Sequence, residues 1–311
     1  MRRSFTRRGL ALAVAVAGPM AAAAVAMAAT WTMGNAAVDR PSLDTFRNFM
    51  VVDRTNPADA DGLLEQIRYY ARRASSATFV QNGVAFAVVR QTAPCPGATC
   101  SFKVLWISDN LPNPAASGVQ TFVPTTPVPV KAGDTLALYF PGNGLVPYQL
   151  LSQEDPAQWE FWETNNSGKP VLGEQLTIAD PAGTGPQHRR QYSVEGWTTG
   201  CTFSIGRPIK ADGSTRLKAG RGALPVKLIP TCANGTLAPT ISLDYTGSGN
   251  AALNEQVSSV SAADKGTTMR WDASAGQYIY NLATKKKTAG AYTLSIKVGG
   301  IEVLAVAFHL R

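Results

Sequence analysis

The sequence predicts an exported, all-β protein of two consecutive β-sandwiches, the first jelly-roll-like and the second Ig-like. Three observations predict it. The N-terminus has the zones of a secretory leader, and all four cysteines, Cys95, Cys100, Cys201 and Cys232, lie beyond that leader. The remainder is a succession of short segments rich in Val, Thr, Tyr and Phe, joined by Gly- and Pro-rich turns, which is how strands and tight turns are written.

The leader spans residues 1–28. Arg2, Arg3, Arg7 and Arg8 form its basic end, with no acid before Asp39. An apolar stretch runs from Gly9 to Val25, and Ala26-Met27-Ala28 supplies the small-x-small pattern of a cleavage site, so the mature chain is expected to begin at Ala29. The stretch approaches the ~20 residues that span a bilayer. It is mostly alanine, however, and Gly18-Pro19 breaks it, which disfavours a retained anchor. The arginine pairs leave the twin-arginine route open beside the general one. With no cysteine near the cleavage site and no LPxTG-like signal, the mature chain is expected to lack a lipid, covalent or transmembrane anchor. It is then released, or retained at the cell surface by binding.

The formal charge of +8 includes the four leader arginines and none of the acids, so the mature chain carries about +4. The densest basic run is Lys285-Lys286-Lys287. Nucleic-acid binding asks for a concentrated basic footprint, and none is expected here.

An even number of cysteines in an exported chain reads as disulfides, with three possible connectivities. Cys95-Pro-Gly-Ala-Thr-Cys100 encloses a turn, which makes a local bridge easy; Cys201 and Cys232 would then staple the start of the second half. The four could alternatively form a zinc site, but Cys-x4-Cys with a distant pair lacks the clustering that zinc demands.

Along the chain, Asn48–Asp53 reads as a first strand and Asn56–Gly62 as a loop bent by Asn, Asp, Pro and Gly. Leu63–Arg73 fits either helix or strand by its apolar positions and is taken as strand. Thr78–Gln81 and Val84–Arg90 flank Asn82-Gly83, the signature of a type I′ hairpin. Strands are then expected at Phe102–Ile107, Val119–Val123, Thr135–Phe140, Trp159–Glu163, Gln175–Ile178 and Arg190–Trp197. About nine strands without a convincing helix give the first sandwich, over residues 38–199.

From Cys201-Thr-Phe-Ser-Ile205 the strand pattern restarts. Leu224–Ile229, Ile241–Tyr245, Thr268–Trp271, Tyr278–Leu282, Tyr292–Val298 and Val303–Leu310 fill a second sandwich over residues 200–311, about 110 residues of the Ig-like kind. Three stretches here carry a resemblance: Arg216-Leu-Lys-Ala-Gly-Arg-Gly-Ala-Leu-Pro225-Val226-Lys227-Leu228, Met269-Arg-Trp-Asp-Ala-Ser-Ala-Gly-Gln-Tyr-Ile-Tyr-Asn281, and the closing Val306-Ala-Phe-His-Leu310. The second half resembles the PxKF domain, a C-terminal module of exported bacterial proteins, with Leu228 standing where the signature has Phe. That resemblance implies an Ig-like accessory domain and no catalytic residues. The first half is similar to a recurrent exported β-sandwich module of no assigned function. That similarity rests on Phe49-Met-Val-Val-Asp53, Asn56-Pro57, Ala60-Asp61-Gly62, Gly118-Val-Gln-Thr-Phe122, Pro127–Asp134 and Leu136–Gly142, and it is the reason for reading Leu63–Arg73 as strand.

Candidate chemistry is sparse. The only histidines are His188, in a Pro-Gly-rich turn, and His309, on the last strand. A nucleophile needs an activating base held by a third group, and no Gly-x-Ser-x-Gly elbow accompanies them. Glu160 and Glu163 stand three apart on a strand and so face opposite ways, unlike two acids set across a glycosidic bond. Asp53, Asp59 and Asp61 offer hard oxygen ligands around a turn, which suits calcium; the same acids would equally cap the turn, and Pro57 occupies a position where an EF-hand needs an acid. Trp159, Trp162 and Trp197 could stack on sugar rings, although on a strand Trp159 and Trp162 point to opposite faces, so part of this set must fill a core.

The sequence therefore leads to a non-catalytic, extracellular protein with a binding or structural role, its partner a cell-envelope polymer or glycan. The alternatives are a dedicated carbohydrate binder using aromatic residues of the first domain, and a secreted hydrolase with an unrecognised acid pair.

Overall fold

A computed structural model describes residues 30–311 except 75, 77, 95–98, 152–160, 164–167, 180–189, 221, 233–234 and 247–252. The described residues form strands and turns and no helix. Thirteen strands lie between Thr30 and Gly200, and their ladders stay among themselves.

A five-stranded sheet takes β1 (Thr30–Gly34), β13 (Val194–Gly200), β3 (Gly62–Ala71) and β6 (Gly118–Phe122) in that order, with β7 (Val128–Val130) also on β3. A six-stranded sheet runs β10 (Phe161–Glu163), β2 (Phe49–Asp53), β8 (Thr135–Phe140), β4 (Ala85–Ala93), β5 (Thr99–Ile107), β11 (Gln175–Ala179). A small ladder joins β9 (Tyr148–Leu150) to β12 (Arg190–Tyr192). All of these pairings are antiparallel.

The two large sheets pack face to face. Met33, Leu64, Ile67 and Val194 from one meet Phe49, Val51, Phe86, Val88, Leu136, Leu138 and Phe140 from the other in a single buried cluster. The opposite face of the six-stranded sheet is buried as well, through Met50, Val52, Ala85, Ala87, Val89, Phe102, Val104, Ala137, Tyr139 and Leu176. Burial on both faces explains why β2 and β8 read as unbroken apolar runs instead of alternating. This second face is closed by the sheet itself, which curls until its edge strands β10 and β11 come within 8 Å of one another at their Cα atoms. Small side chains make that possible: Ala87 lies directly opposite Ala137, with Ala85 one pleat away, on the face that must be concave.

Beyond Gly200 a four-stranded sheet is ordered β14 (Phe203–Ile205), β16 (Ala223–Pro230), β20 (Gln277–Ala283), β19 (Arg270–Asp272). A five-stranded sheet is ordered β15 (Arg216–Leu217), β22 (Ile301–Leu310), β21 (Gly290–Val298), β17 (Thr240–Tyr245), β18 (Leu253–Glu255), with β15 parallel to β22. Here alternation is plain: Tyr278, Tyr280 and Leu282 of β20 are buried, as are Leu224, Val226 and Leu228 of β16, while their neighbours are not. They share a core with Ile241, Leu243, Tyr292, Leu294 and Phe308. Leu228 is fully buried in it. The Cys201–Cys232 disulfide, with Cα atoms 5.0 Å apart, extends the β14–β16 ladder by a covalent rung.

The two parts meet at a hairpin. β21 and β22 turn through Gly299-Gly300, both at positive φ, between the paired Val298 and Ile301. That two-residue geometry is open to glycine without strain. Ile301 belongs to the N-terminal buried cluster, and Leu63 of β3 belongs to the C-terminal one, so each core receives a residue from the other side.

Two local expectations are corrected. Thr78–Gln81 is not a strand, and Asn82-Gly83 is no hairpin turn: Gly83 has φ +88°, Asn82 does not share it, and Val84 pairs with Leu111. The glycine answers a close approach instead, since a Cβ there would lie 1.9 Å from the Leu111 carbonyl oxygen. Also, strands begin well before residue 38, because β1 forms an edge against β13.

Candidate functional site

Trp197 is the one sequence-singled aromatic whose side chain is described, and it is exposed. β13 alternates Val194, Gly196 and Thr198 inward with Glu195, Trp197 and Thr199 outward. At this point the register with β3 shifts: Trp197 faces Gln66 whereas Thr198 faces Leu64, leaving Glu65 as the extra residue of a bulge. A bulge twists its strand locally and re-aims the side chains beside it. Glu65 is exposed and accepts from Thr199 Oγ1 at 3.0 Å.

The surroundings of the indole are therefore polar and ordered. Thr32 of β1 is its cross-strand neighbour on one side and Gln66 on the other. Its Nε1 donates to Glu195 Oε2 at 3.1 Å. The Arg68 guanidinium lies 5.7 Å from the ring centroid and 3.8 Å from the Glu195 carboxylate. Hydroxyls, an amide and carboxylates thus surround the ring on the outer surface of the five-stranded sheet, with the Arg68 guanidinium over it. Such a ring can stack on an apolar ring surface while the groups around it exchange hydrogen bonds with substituents.

Trp159 lies outside the described residues, and Trp162 is placed only by its backbone, opposite Val51 at the β10 edge of the other sheet. The three tryptophans are thus not assembled into one face by anything described.

The three candidate calcium ligands part company. Asp53 is fully buried; its Oδ2 accepts from Asn35 Nδ2 at 2.6 Å and its Oδ1 from Thr55 N at 3.0 Å and from the Thr55 hydroxyl. Burial pushes its carboxyl up from 3.8 to about 6, against the lowering effect of those hydrogen bonds. Asp59 and Asp61 are exposed, and Asp61 Oδ1 accepts from Ala132 N at 3.1 Å. Among the described residues no group of three or more His, Cys, Asp or Glu side chains is arranged to hold a metal ion.

Of the cysteines, Cys201 and Cys232 are joined to each other. Cys100 is buried on β5 and disulfide-bonded, and Cys95, its expected partner, lies outside the described residues. His309 sits in the β22 ladder between Arg216 and Ala291, while His188 and Glu160 lie outside the described residues. Among the described residues no helix is long and apolar enough to cross a membrane.

A second aromatic pair went unnoticed in the sequence. Trp106 at the end of β5 and Phe122 at the end of β6 come together with ring centroids 6.1 Å apart. They belong to different sheets, so no spacing along the chain announces them. Comparison of the whole chain with protein-family models and with curated proteins gives no match.

Proposed function

We propose that the protein is exported and non-catalytic, and that it binds a glycan of the cell envelope through the outer face of its five-stranded sheet. The observation that carries this reading is the exposure of Trp197 at a bulge, with Thr32, Gln66, Arg68 and Glu195 around it. A large aromatic ring left exposed on a sheet contributes little to the core, and burying such a ring on a ligand is a strong source of binding energy. In this reading the described strands belong to two sandwiches, jelly-roll-like and Ig-like, and the second is a PxKF-type accessory module. In this reading the leader ends before Ala29, and retention at the surface rests on the glycan contact.

The test is retention on insoluble polysaccharides. The mature chain is mixed with chitin, cellulose, xylan and peptidoglycan sacculi, and depletion from the supernatant is measured. Retention on at least one, lost in Trp197→Ala with unchanged thermal unfolding, is the expected result. No retention on any of them ends the reading.

A further inference from the structure

Beside the junction of the two halves lies a groove of about 410 Å³ lined by residues from β5, the 108–111 segment, the β6–β7 connection and the β21–β22 turn. Its size falls within the ~300–1,000 Å³ of small-ligand clefts, which favour such junctions. Trp106 and Phe122 form its aromatic wall, and both are only partly buried. Gly299 stands at its edge from the C-terminal half, where a Cβ would meet open space.

Around this wall the side chains of Asp109, Thr125, Thr126 and Trp106 have polar groups without protein partners among the described residues. Asp109 is exposed, and among the described residues its carboxylate accepts no hydrogen bond and forms no ion pair. Thr125 and Thr126 line the groove with hydroxyls in the same condition, and among the described residues the Trp106 indole N–H has no acceptor. The backbone of the 108–111 segment, in contrast, is already used. Leu111 N and O pair with Val84, and Ser108 N donates to Phe86 O at 2.8 Å. The Ser108 hydroxyl is used too, donating to Asp109 O and accepting from Phe86 N. An extended peptide docks by completing a backbone ladder, and this groove has none to offer along its 108–111 segment.

What it does offer is a ring face with hydroxyl, carboxylate and N–H groups around it. Sugar rings present the complement, with C–H groups on one face and hydroxyls at the rim. Asp109 is the sole ionisable side chain of the lining and repels acidic sugars. We propose that this groove is a second, separate binding site, taking a short stretch of neutral or N-acetylated oligosaccharide. The sugar would lie along Trp106 and Phe122, with its hydroxyls donating to Asp109. It does not depend on the sheet-face reading: that face would hold an insoluble polymer, and this groove a soluble chain.

The experiment titrates the mature chain with trisaccharides (chitotriose, cellotriose, maltotriose, xylotriose and mannotriose, the trioses below) and with oligogalacturonate as the acidic comparison, up to about 10 mM, where millimolar complexes still saturate. Binding is followed by calorimetry and by tryptophan fluorescence. Saturable binding of at least one triose is expected, weakened roughly tenfold or more in Asp109→Ala, as loss of a hydrogen bond to a charged group implies. The fluorescence response should vanish in Trp106→Phe, which keeps the core contact with Phe122. Absence of binding by every triose overturns the proposal, as does binding that Asp109→Ala leaves intact, or binding of oligogalacturonate alone. The two sites fail separately. Polymer retention without triose binding sinks the groove alone, and triose binding without Trp197-dependent retention sinks the sheet face alone.

Discussion

Asp53→Asn is expected to flatten the pH dependence of folding between about pH 7.5 and about pH 5. In the folded chain burial raises the Asp53 carboxyl from 3.8 to about 6, with Thr55 and Asn35 opposing the shift. Since the folded value lies above the unfolded one, the native state holds a proton that the unfolded chain has released. Stability therefore rises as pH falls through about 6, and the gain is complete below 3.8. A gap of about two units is worth roughly 3 kcal/mol in full, of which roughly 1.4 kcal/mol falls between pH 7.5 and pH 5. At about 2–4 °C per kcal/mol for a unit of this size, the melting temperature climbs by roughly 3–5 °C. In the variant the asparagine oxygen still accepts from Thr55, but its amide meets the Asn35 amide, donor against donor. That mismatch costs about 1–3 kcal/mol and is the same at every pH. Asp44, also raised by burial against Arg190 and Tyr192, titrates in both proteins and cancels in the difference. The assay is calorimetric unfolding of both proteins at the two pH values and constant ionic strength. Parallel shifts, with the difference in melting temperature unchanged, would refute the assignment of a buried, proton-binding Asp53.

Two further changes probe the frame. Gly83→Ala places a methyl 1.9 Å from the Leu111 carbonyl oxygen at a φ of +88°; a loss of at least about 2 kcal/mol is expected in urea unfolding, and a neutral result would mean that the 111 segment does not close on β4 as described. Cys232→Ser opens a covalent loop of sequence separation 31; chain entropy puts the cost at about 3–4 kcal/mol, and unfolding that is equally stable under reducing and non-reducing conditions would count against the bridge.

The all-β character was legible because β16 and β20 alternate strictly, and because apolar runs such as Leu136-Ala-Leu-Tyr-Phe140 are bounded by turn residues. Leu63–Arg73, ambiguous by periodicity, is the strand β3, since it must pair on both sides with β13 and β6. The features that stayed hidden depended on distant partners. β1 is five residues of mixed polarity that become a strand only against β13. Asn82-Gly83 mimics a hairpin because dipeptide chemistry cannot report a carbonyl arriving from residue 111. The tight Gly299-Gly300 hairpin is the converse, a turn that matters because it delivers Ile301 into the other core. Burial of Asp53 was equally invisible, since an Asp beside a turn reads as a surface cap or ligand until Asn35 and Thr55 close over it.

The two candidate sites owe their existence to the same contrast between sheets. The six-stranded sheet curls on its alanine-lined face, while the five-stranded sheet lays one face on its convex side and leaves the part of the other around Trp197 to solvent. Sheets of unequal curvature part at their margins, and there Trp106 and Phe122 stand between them with rings 6.1 Å apart. They cover the end of the core without filling the space outside it, and the groove is the space that remains. At the other site no curl is needed, and the pleat of β13, beside its bulge with β3, sends Trp197 outward between the inward Gly196 and Thr198. Changing the curvature should then affect one site and spare the other. Ala87→Val, opposite Ala137 on the concave face, would overfill that face and cost about 1–3 kcal/mol. Triose binding in the groove is expected to weaken in this variant, and polymer retention through Trp197 to persist. Equal loss of both at a temperature where the variant remains folded would show that the two surfaces are not independent products of the two sheets.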